Sequence, residues 1–188
     1  MSYTEEFKVV AATVYGEAGG QSVASQKEIA NCIMNRVRYK EWKKYETAAS
    51  VVTKSGFDAY SQQTVLFKRA YAEMSAGAIT TSKLQALVDA IKPIIDGTEG
   101  DGCGNIVLYY SPKAQAALHK KNPKMYKEQP KWNFDALEQV QVPGTEGDDF
   151  AWYRYKGTGA RVRVVDQAQQ PVKNLEYKIT NKERKVIA

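Results

Sequence analysis

Val9-Val10-Ala11-Ala12-Thr13-Val14-Tyr15-Gly16-Glu17-Ala18-Gly19-Gly20, continued by the run QSVASQKEIANCIMNRV to Val37, decides the reading of this chain. Upstream, Ser2-x-x-Glu5 has capping-box spacing, and Phe7, Val10 and Val14 recur near the helical period. The spacing predicts a helix that runs into Gly16–Gly20, where the glycines end it. A second helix follows over Ser22–Tyr39. Ser25-x-x-Glu28 could cap it, or the start could lie a turn earlier. Ile29, Cys32, Ile33, Arg36 and Val37 form one buried stripe at i, i+3, i+4, i+7 spacing. Two helices meeting at a glycine-rich break with a glutamate on it make a mainly helical core.

Working outward, Thr47–Lys54 reads as a short helix closed by Gly56. Ser61–Ala76 reads as a longer one, with Leu66, Phe67, Ala70, Tyr71 and Met74 on an apolar face and Gly77 placed to end it. Ser82-x-x-Gln85 starts another, burying Leu84, Leu87, Val88, Ile91 and Ile95, with Pro93 expected to kink it or end it early. Ile106–Tyr110 is a short apolar run expected as a strand and stopped by Ser111-Pro112. Residues 113–121 can form a helix, Trp132, Phe134 and Leu137 suggest a packed irregular segment, and Phe150–Tyr155 reads as a strand. The fold class is therefore mainly α (α+β). After a hinge at Gly157-Thr158-Gly159, Arg161–Val164 and Leu175–Ile179 alternate as a β-hairpin does. A lone hairpin is marginal in water, so the tail is expected either to pack on the body or to be the start of a truncated β domain. The expected domains are 1–156 and 157–188.

Composition bounds the function. The chain has 188 residues, 43% hydrophobic and 26% charged, enough for one sizeable core and unlike disordered, collagenous or coiled-coil chains. No stretch approaches the ~20 apolar residues of a membrane span, so no membrane insertion is expected, and the start of the chain lacks the apolar region of a signal peptide. Residues 1–150 hold 18 Lys/Arg and 18 Asp/Glu, whereas 151–188 hold 9 and 3. A net charge of +6 confined to a terminal piece does not make a nucleic-acid face, so no nucleic-acid partner is expected. With one histidine, His119, and two cysteines, Cys32 and Cys103, neither a metal site nor any other cofactor is expected. A Ser–His–Asp triad would need His119, far from any nucleophile elbow. A bridge between the cysteines has no support in the sequence. The loop 98–105 is too irregular to cradle phosphate.

Glu17 is the most informative residue. Most helix glutamates are solvated and inert, but one followed by Ala-Gly-Gly has small neighbours that would let a substrate approach closely. Cleaving a glycosidic bond needs an acid held close and protonated at working pH, and burial against apolar walls raises a carboxyl pKa to that end.

Four blocks in order carry a resemblance over about residues 9–112. They are Val14-Tyr15-Gly16-Glu17-Ala18-Gly19-Gly20, Ile33-Met34-Asn35-Arg36-Val37, Val51-Val52-Thr53-Lys54-Ser55-Gly56-Phe57-Asp58 and Leu108-Tyr109-Tyr110-Ser111-Pro112. Together they resemble the bacterial cell-wall hydrolase family that includes the spore-cortex-lytic enzymes. The resemblance implies a lysozyme-like helical domain acting on peptidoglycan glycan strands between N-acetylmuramic acid and N-acetylglucosamine. It implies Glu17 as general acid/base, with Phe57, Tyr109 and Tyr110 lining the sugar cleft; Tyr15 and Tyr60, beside Glu17 and Asp58 in the sequence, are further substrate-binding candidates. Aromatic faces suit the apolar C–H faces of sugars, and core packing is the competing role for each ring. Asn35 and Arg36 are expected to brace the site or to cap the helix end rather than to touch sugar, and an Arg36–Glu17 pair would lower the Glu17 pKa.

The sequence also departs from the family. Asp58 stands where the family has Ser or Thr, and Gly147-Asp148-Asp149-Phe150 lacks the histidine of the family's G-x-H-x-F block. With Glu17 alone, attack by the muramyl hydroxyl leaves an anhydro end, as in a lytic transglycosylase. With a second carboxylate to activate water, the product is a hydrolysed reducing end, as in a muramidase. Asp58 is the first candidate for that second carboxylate, ahead of Asp148 and Asp149, and a turn or N-cap role is its alternative. The tail residues Arg161–Asp166 and Gln170–Ile179 resemble the start of a small β domain found beside enzymatic domains in type VI secretion effectors. That resemblance implies an antibacterial toxin made in the cytoplasm and acting in a target's periplasm. It also implies a cognate immunity protein and a secretion-machine component as partners. A phage or prophage endolysin and a catalytically inactive wall-binding module are the alternatives.

Overall fold

The computed structural model describes residues 2–39, 45–158, 178–179 and 186–187. Helix α1 (Glu5–Ala18) starts at Thr4, whose hydroxyl accepts the Phe7 N–H. The cap therefore lies two residues beyond the expected Ser2, and Glu5 and Glu6 sit in the first turn, where the helix dipole favours them. Phe7, Val10 and Val14 are buried as expected, and so are Ala11, Ala12 and Thr13. A helix buried on every side is a core element, and α1 packs against α2 (Val23–Arg38), α3 (Ala48–Lys54), α4 (Asp58–Ser61), α5 (Val65–Ser75) and α6 (Ser82–Ile95). Thr13 tolerates this position because its hydroxyl donates to the Val9 carbonyl at 2.8 Å.

Ser22 caps α2, so the helix begins at the earlier of the two expected starts. Its stripe is buried at Ile29, Cys32, Ile33 and Arg36, with Val37 half-buried. Each of the large aliphatic side chains so removed from water contributes about 1.5–3 kcal/mol. Thr47 and Ser50 form a reciprocal capping box on α3. The helix expected over Ser61–Ala76 begins later, as α5 capped by Thr64; the short α4 precedes it and shares only Ser61 with the expected span, with Gln63 at φ 49° between the two. Phe67, Ala70 and Met74 are buried, Tyr71 is half-buried, and Leu66 points to solvent. Gly77, at φ 70°, ends α5 as expected. Pro93 lies in the last turn of α6, which runs on to Ile95; its carbonyl then accepts the N–H groups of Thr98 and Glu99. Ile94, rather than Ile95, takes the fully buried place.

A small antiparallel sheet completes an α+β body. Strand β3 (Ala151–Tyr155) lies between β1 (Leu108–Tyr110) and β2 (Leu137–Val140), with Leu108 opposite Tyr153 and Leu137 opposite Tyr155. β2 falls in the segment expected to be irregular; its four residues are too few for period-two alternation to stand out. The sheet packs its own cluster of Val107, Leu108, Leu137, Ala151 and Tyr153. Between β1 and β2, α7 (Pro112–Lys121) buries none of its residues. Ser111, expected as a strand stop, caps α7 by accepting the Ala114 N–H. In the tail, β4 (Lys178–Ile179) pairs antiparallel with β5 (Val186–Ile187). The expected strand at Arg161–Val164 lies outside the described residues. Cys32 and Cys103 are both free thiols. No helix among the described residues is long and apolar enough to cross a membrane.

Candidate active site

Glu17 sits in the last turn of α1 with its carboxyl held from two sides. Oε1 accepts the Ala59 N–H at 2.7 Å, and Oε2 accepts the Tyr109 hydroxyl at 3.2 Å. The first donor belongs to the first turn of α4 and the second to β1, so the site exists only where helix and sheet meet. Burial raises the Glu17 pKa above the ordinary carboxylic value, and the Asp58 carboxylate adds to the rise. The Ala59 N–H, the Tyr109 hydroxyl and the Arg36 charge oppose it. Burial dominates, which favours the protonated acid.

Gly16 makes this arrangement possible. A Cβ on Gly16 would lie 2.6 Å from the Ala59 Cβ and 3.0 Å from the Thr64 hydroxyl oxygen. The missing side chain lets α4 press against α1 until the Ala59 N–H reaches Glu17. We expect Gly16→Ala to force the two helices apart, to cost about 1–3 kcal/mol of stability, and to lower turnover by weakening the Ala59–Glu17 hydrogen bond. Thermal melts and initial rates measure the two effects. An unchanged melting temperature would mean that the contact relaxes freely.

The small residues after Glu17 do something other than expected. Gly19 and Gly20 border a separate shallow depression with Gln21, Val23, Gln26, Lys83 and Ala86. They end the helix there and do not line the cleft into which Glu17 faces.

That cleft has a volume of about 400 Å³. Asp58, Phe57 and the Ser55-Gly56 turn line one part of it, Tyr109 and Tyr110 another, and Trp132, Leu118 and Gln115 a third. Gly56, at φ 84°, supplies the left-handed turn that brings the chain from α3 to Phe57. Phe57 is buried but keeps one surface on the cleft, with the Arg36 guanidinium 4.9 Å from its ring centroid and the Tyr109 ring 6.3 Å away. Arg36 donates to the Val107 carbonyl at 2.7 Å and to the Ser55 hydroxyl at 2.9 Å. Asn35 donates to Asp101 at 2.6 Å and to the Ile106 carbonyl at 3.0 Å. Both residues thus brace the strand and the turn that form the cleft.

Glu17, Asp58, Phe57, Tyr109 and Tyr110 are therefore brought together. Tyr15 and Tyr60 are not. Tyr15 is a core side chain, and Tyr60 packs edge-on against Phe67 at 5.6 Å, so neither is among the cleft-lining residues. Asp148 accepts from the Ser22 N–H and the Ser25 hydroxyl at the start of α2. Asp149 accepts from the Ser111 hydroxyl and the Lys113 N–H at the start of α7. Both aspartates anchor helix N-termini, where anions are favoured, and of the three candidates for a second carboxylate Asp58 alone lines the cleft.

Trp132, expected only as part of a packed segment, and the α7 face of Ala114, Gln115 and Leu118 are cleft residues that the sequence did not assign to the site. The aromatic density between Trp132 and Tyr155 was the available signal. Among the described residues, no group of His, Cys, Asp and Glu side chains is arranged to hold a metal ion. The site offers a proton donor under apolar walls, a second carboxylate beside it and flat aromatic faces. Comparison with protein-family models, curated proteins and solved structures finds no match to this chain.

Proposed function

We propose that this chain cleaves the glycan strands of peptidoglycan, with Glu17 as the general acid that protonates the leaving glycosidic oxygen. The observation that carries this reading is a carboxyl of raised pKa, held by two hydrogen bonds, facing a cleft of about 400 Å³ walled by Phe57, Tyr109, Tyr110 and Trp132. Aromatic walls accept the apolar faces of sugar rings while the edge hydroxyls stay wet. The Ala59 and Tyr109 donors keep the carboxyl in one orientation, and both stabilise the carboxylate left after proton transfer. The same carboxylate is then ready to take a proton from the attacking hydroxyl. Tyr109 stays a phenol throughout, since burial and the Glu17 charge beside it push its pKa well above the ordinary value.

Asp58 is exposed at the cleft. An ionised Asp58 keeps Glu17 protonated to higher pH and offers a base for a water nucleophile, which favours hydrolysis over formation of an anhydro end. The test is the mass of fragments released from purified sacculi. Reducing disaccharide-peptides are expected from the unaltered protein, and fragments one water lighter from Asp58→Asn. The same substitution removes a charge that raises the Glu17 pKa, so the alkaline limb of the rate profile should move to lower pH. Unchanged products and an unchanged profile would take Asp58 out of the mechanism. No fragments from the unaltered protein would favour a wall-binding module.

The resemblance of residues 161–179 to the β domain of type VI secretion effectors supports delivery into a rival's periplasm, with an immunity protein guarding the producer. Those residues lie outside the described part of the tail except for Lys178 and Ile179.

A further inference from the structure

Residues 112–131 form an arm beside the cleft with a charge unlike the rest of the body. The arm carries Lys113, Lys120, Lys121, Lys124, Lys127 and Lys131 against a single acid, Glu128. The remainder of residues 1–150 holds twelve basic and seventeen acidic residues. All six lysines are exposed, and among the described residues no carboxylate forms an ion pair with any of them.

The arm is folded. Asp149 and Ser111 fix the start of α7, and the chain then turns back at Asn122, whose side chain accepts the Met125 N–H. The returning segment is tied to the helix by the Gln115 amide donating to the Lys127 carbonyl at 2.6 Å and by the His119 ring 2.8 Å from the Tyr126 carbonyl. One face of α7 gives Ala114, Gln115 and Leu118 to the cleft, and Trp132 closes the far end of the arm on the same cleft. Core packing does not account for this element, because no residue of α7 is fully buried. Unpaired like charges held on one folded element repel one another, and an anionic partner relieves that repulsion.

We propose that this arm is an electrostatic docking wall for the carboxylates of the stem peptides carried by the strand in the cleft. The proposal rests on the peptidoglycan reading and deepens it. Sugars bind against the aromatic walls, and the acidic peptides projecting from them meet the lysines. The arm therefore selects strands that still bear stems with free carboxylates over strands that have been stripped.

The experiment uses soluble glycan strands free of teichoic acid, prepared with stem peptides and with the stems removed by an amidase, the lactyl carboxylates that this hydrolysis frees being converted to methyl amides so that the stripped strand carries no charge. Binding is measured with the Glu17→Gln protein, so that the strand is held without being cut, while the unaltered protein is assayed in parallel for cleavage. At low salt the stem-bearing strand is expected to bind about tenfold more tightly than the stripped strand. The ratio should fall to near one with Lys120→Glu, Lys121→Glu and Lys124→Glu combined, and at 0.5 M salt, where screening is strong. A Lys→Gln triple at the same positions should give an intermediate ratio and guards against a folding defect in the charge-reversed protein. A ratio near one in the parent, or a ratio unmoved by both triples, overturns the docking wall. Cleavage of both strands with a ratio near one would sink the wall and leave the enzyme reading standing. Absence of cleavage with the tenfold ratio intact would do the reverse.

Discussion

Glu17→Gln is expected to lower fragment release from sacculi by at least about 10³-fold while leaving the melting temperature within about 1 °C of the parent. General acid–base catalysis by one positioned group accounts for about 10²–10⁴-fold, and Glu17 is asked to serve in both directions of proton transfer. Glutamine keeps the shape and an acceptor oxygen for the Ala59 N–H, which lies 2.7 Å from Oε1. It cannot give up a proton to a leaving alkoxide. The cleft and its walls are therefore retained and the chemistry is lost. In cells, the unaltered chain exported to the periplasm should lyse the host, and co-expression of a neighbouring gene's product should relieve that toxicity if the chain is an effector. The Glu17→Gln chain should be harmless. Equal turnover in the two proteins would remove Glu17 from the reaction. Lysis that no neighbour relieves would favour a lysin.

The second large effect lies away from the cleft. Glu28 of α2 is 3% exposed, and its Oε1 is buried with no hydrogen-bond partner among the described residues. Burial, with the nearby Asp101 carboxylate, raises its pKa from 4.5 to about 8. Asp101 cannot turn away, because its own oxygens accept the N–H groups of Cys103, Gly104 and Asn105 and the Asn35 amide. A folded-state pKa above the unfolded one means that the native protein holds the proton longer. The contribution of Glu28 to stability is therefore full below about pH 4.5 and is lost as pH rises through about 8. The slope inside that window is at most about 1.4 kcal/mol per pH unit. Glu28→Gln should flatten the profile, leaving stability at pH 5 within about 1 kcal/mol of the parent and raising it by a few kcal/mol at pH 9. Denaturant midpoints at pH 5, 7 and 9 measure this. Parallel profiles for the two proteins would mean that Glu28 titrates normally.

Much of the fold was readable because helices are local. The stripe Ile29, Cys32, Ile33 and Arg36 and the ends of α3 and α7 follow from residues a few positions apart. The misreadings share one cause. Ser2 and Thr4 both offer a capping hydroxyl, and which one is used depends on where α1 begins to be buried. Ile94 and Ile95 are chemically alike, and which faces inward depends on the phase of α6 against α2. The four residues of β2 have too little pattern to declare a strand before β3 is beside them.

The candidate site was readable in part, and the division is again one of distance along the chain. The motif around Glu17 and the Phe57-Asp58 and Tyr109-Tyr110 pairs could be picked out because each is a short block. Tyr15 and Tyr60 could be picked out equally well, yet they pack in the body, since sequence adjacency to Glu17 or Asp58 does not set the direction of a side chain. Trp132 carried no motif and lines the cleft.

The sequence by itself determined a mainly helical chain, a glutamate at a glycine-flanked helix end, and the absence of residues for a histidine-rich metal site. Tertiary structure alone decided that Glu17 is a half-buried acid. Its two donors come from positions 42 and 92 residues away, and the carboxyl is raised by desolvation that exists only once α4 and β1 close over it. The tertiary structure also decided that Gly16 serves helix packing, that Asp148 and Asp149 anchor helices, and that six lysines stand on one arm beside the cleft. Helical periodicity is written in neighbours, whereas burial and charge placement depend on which distant surfaces meet.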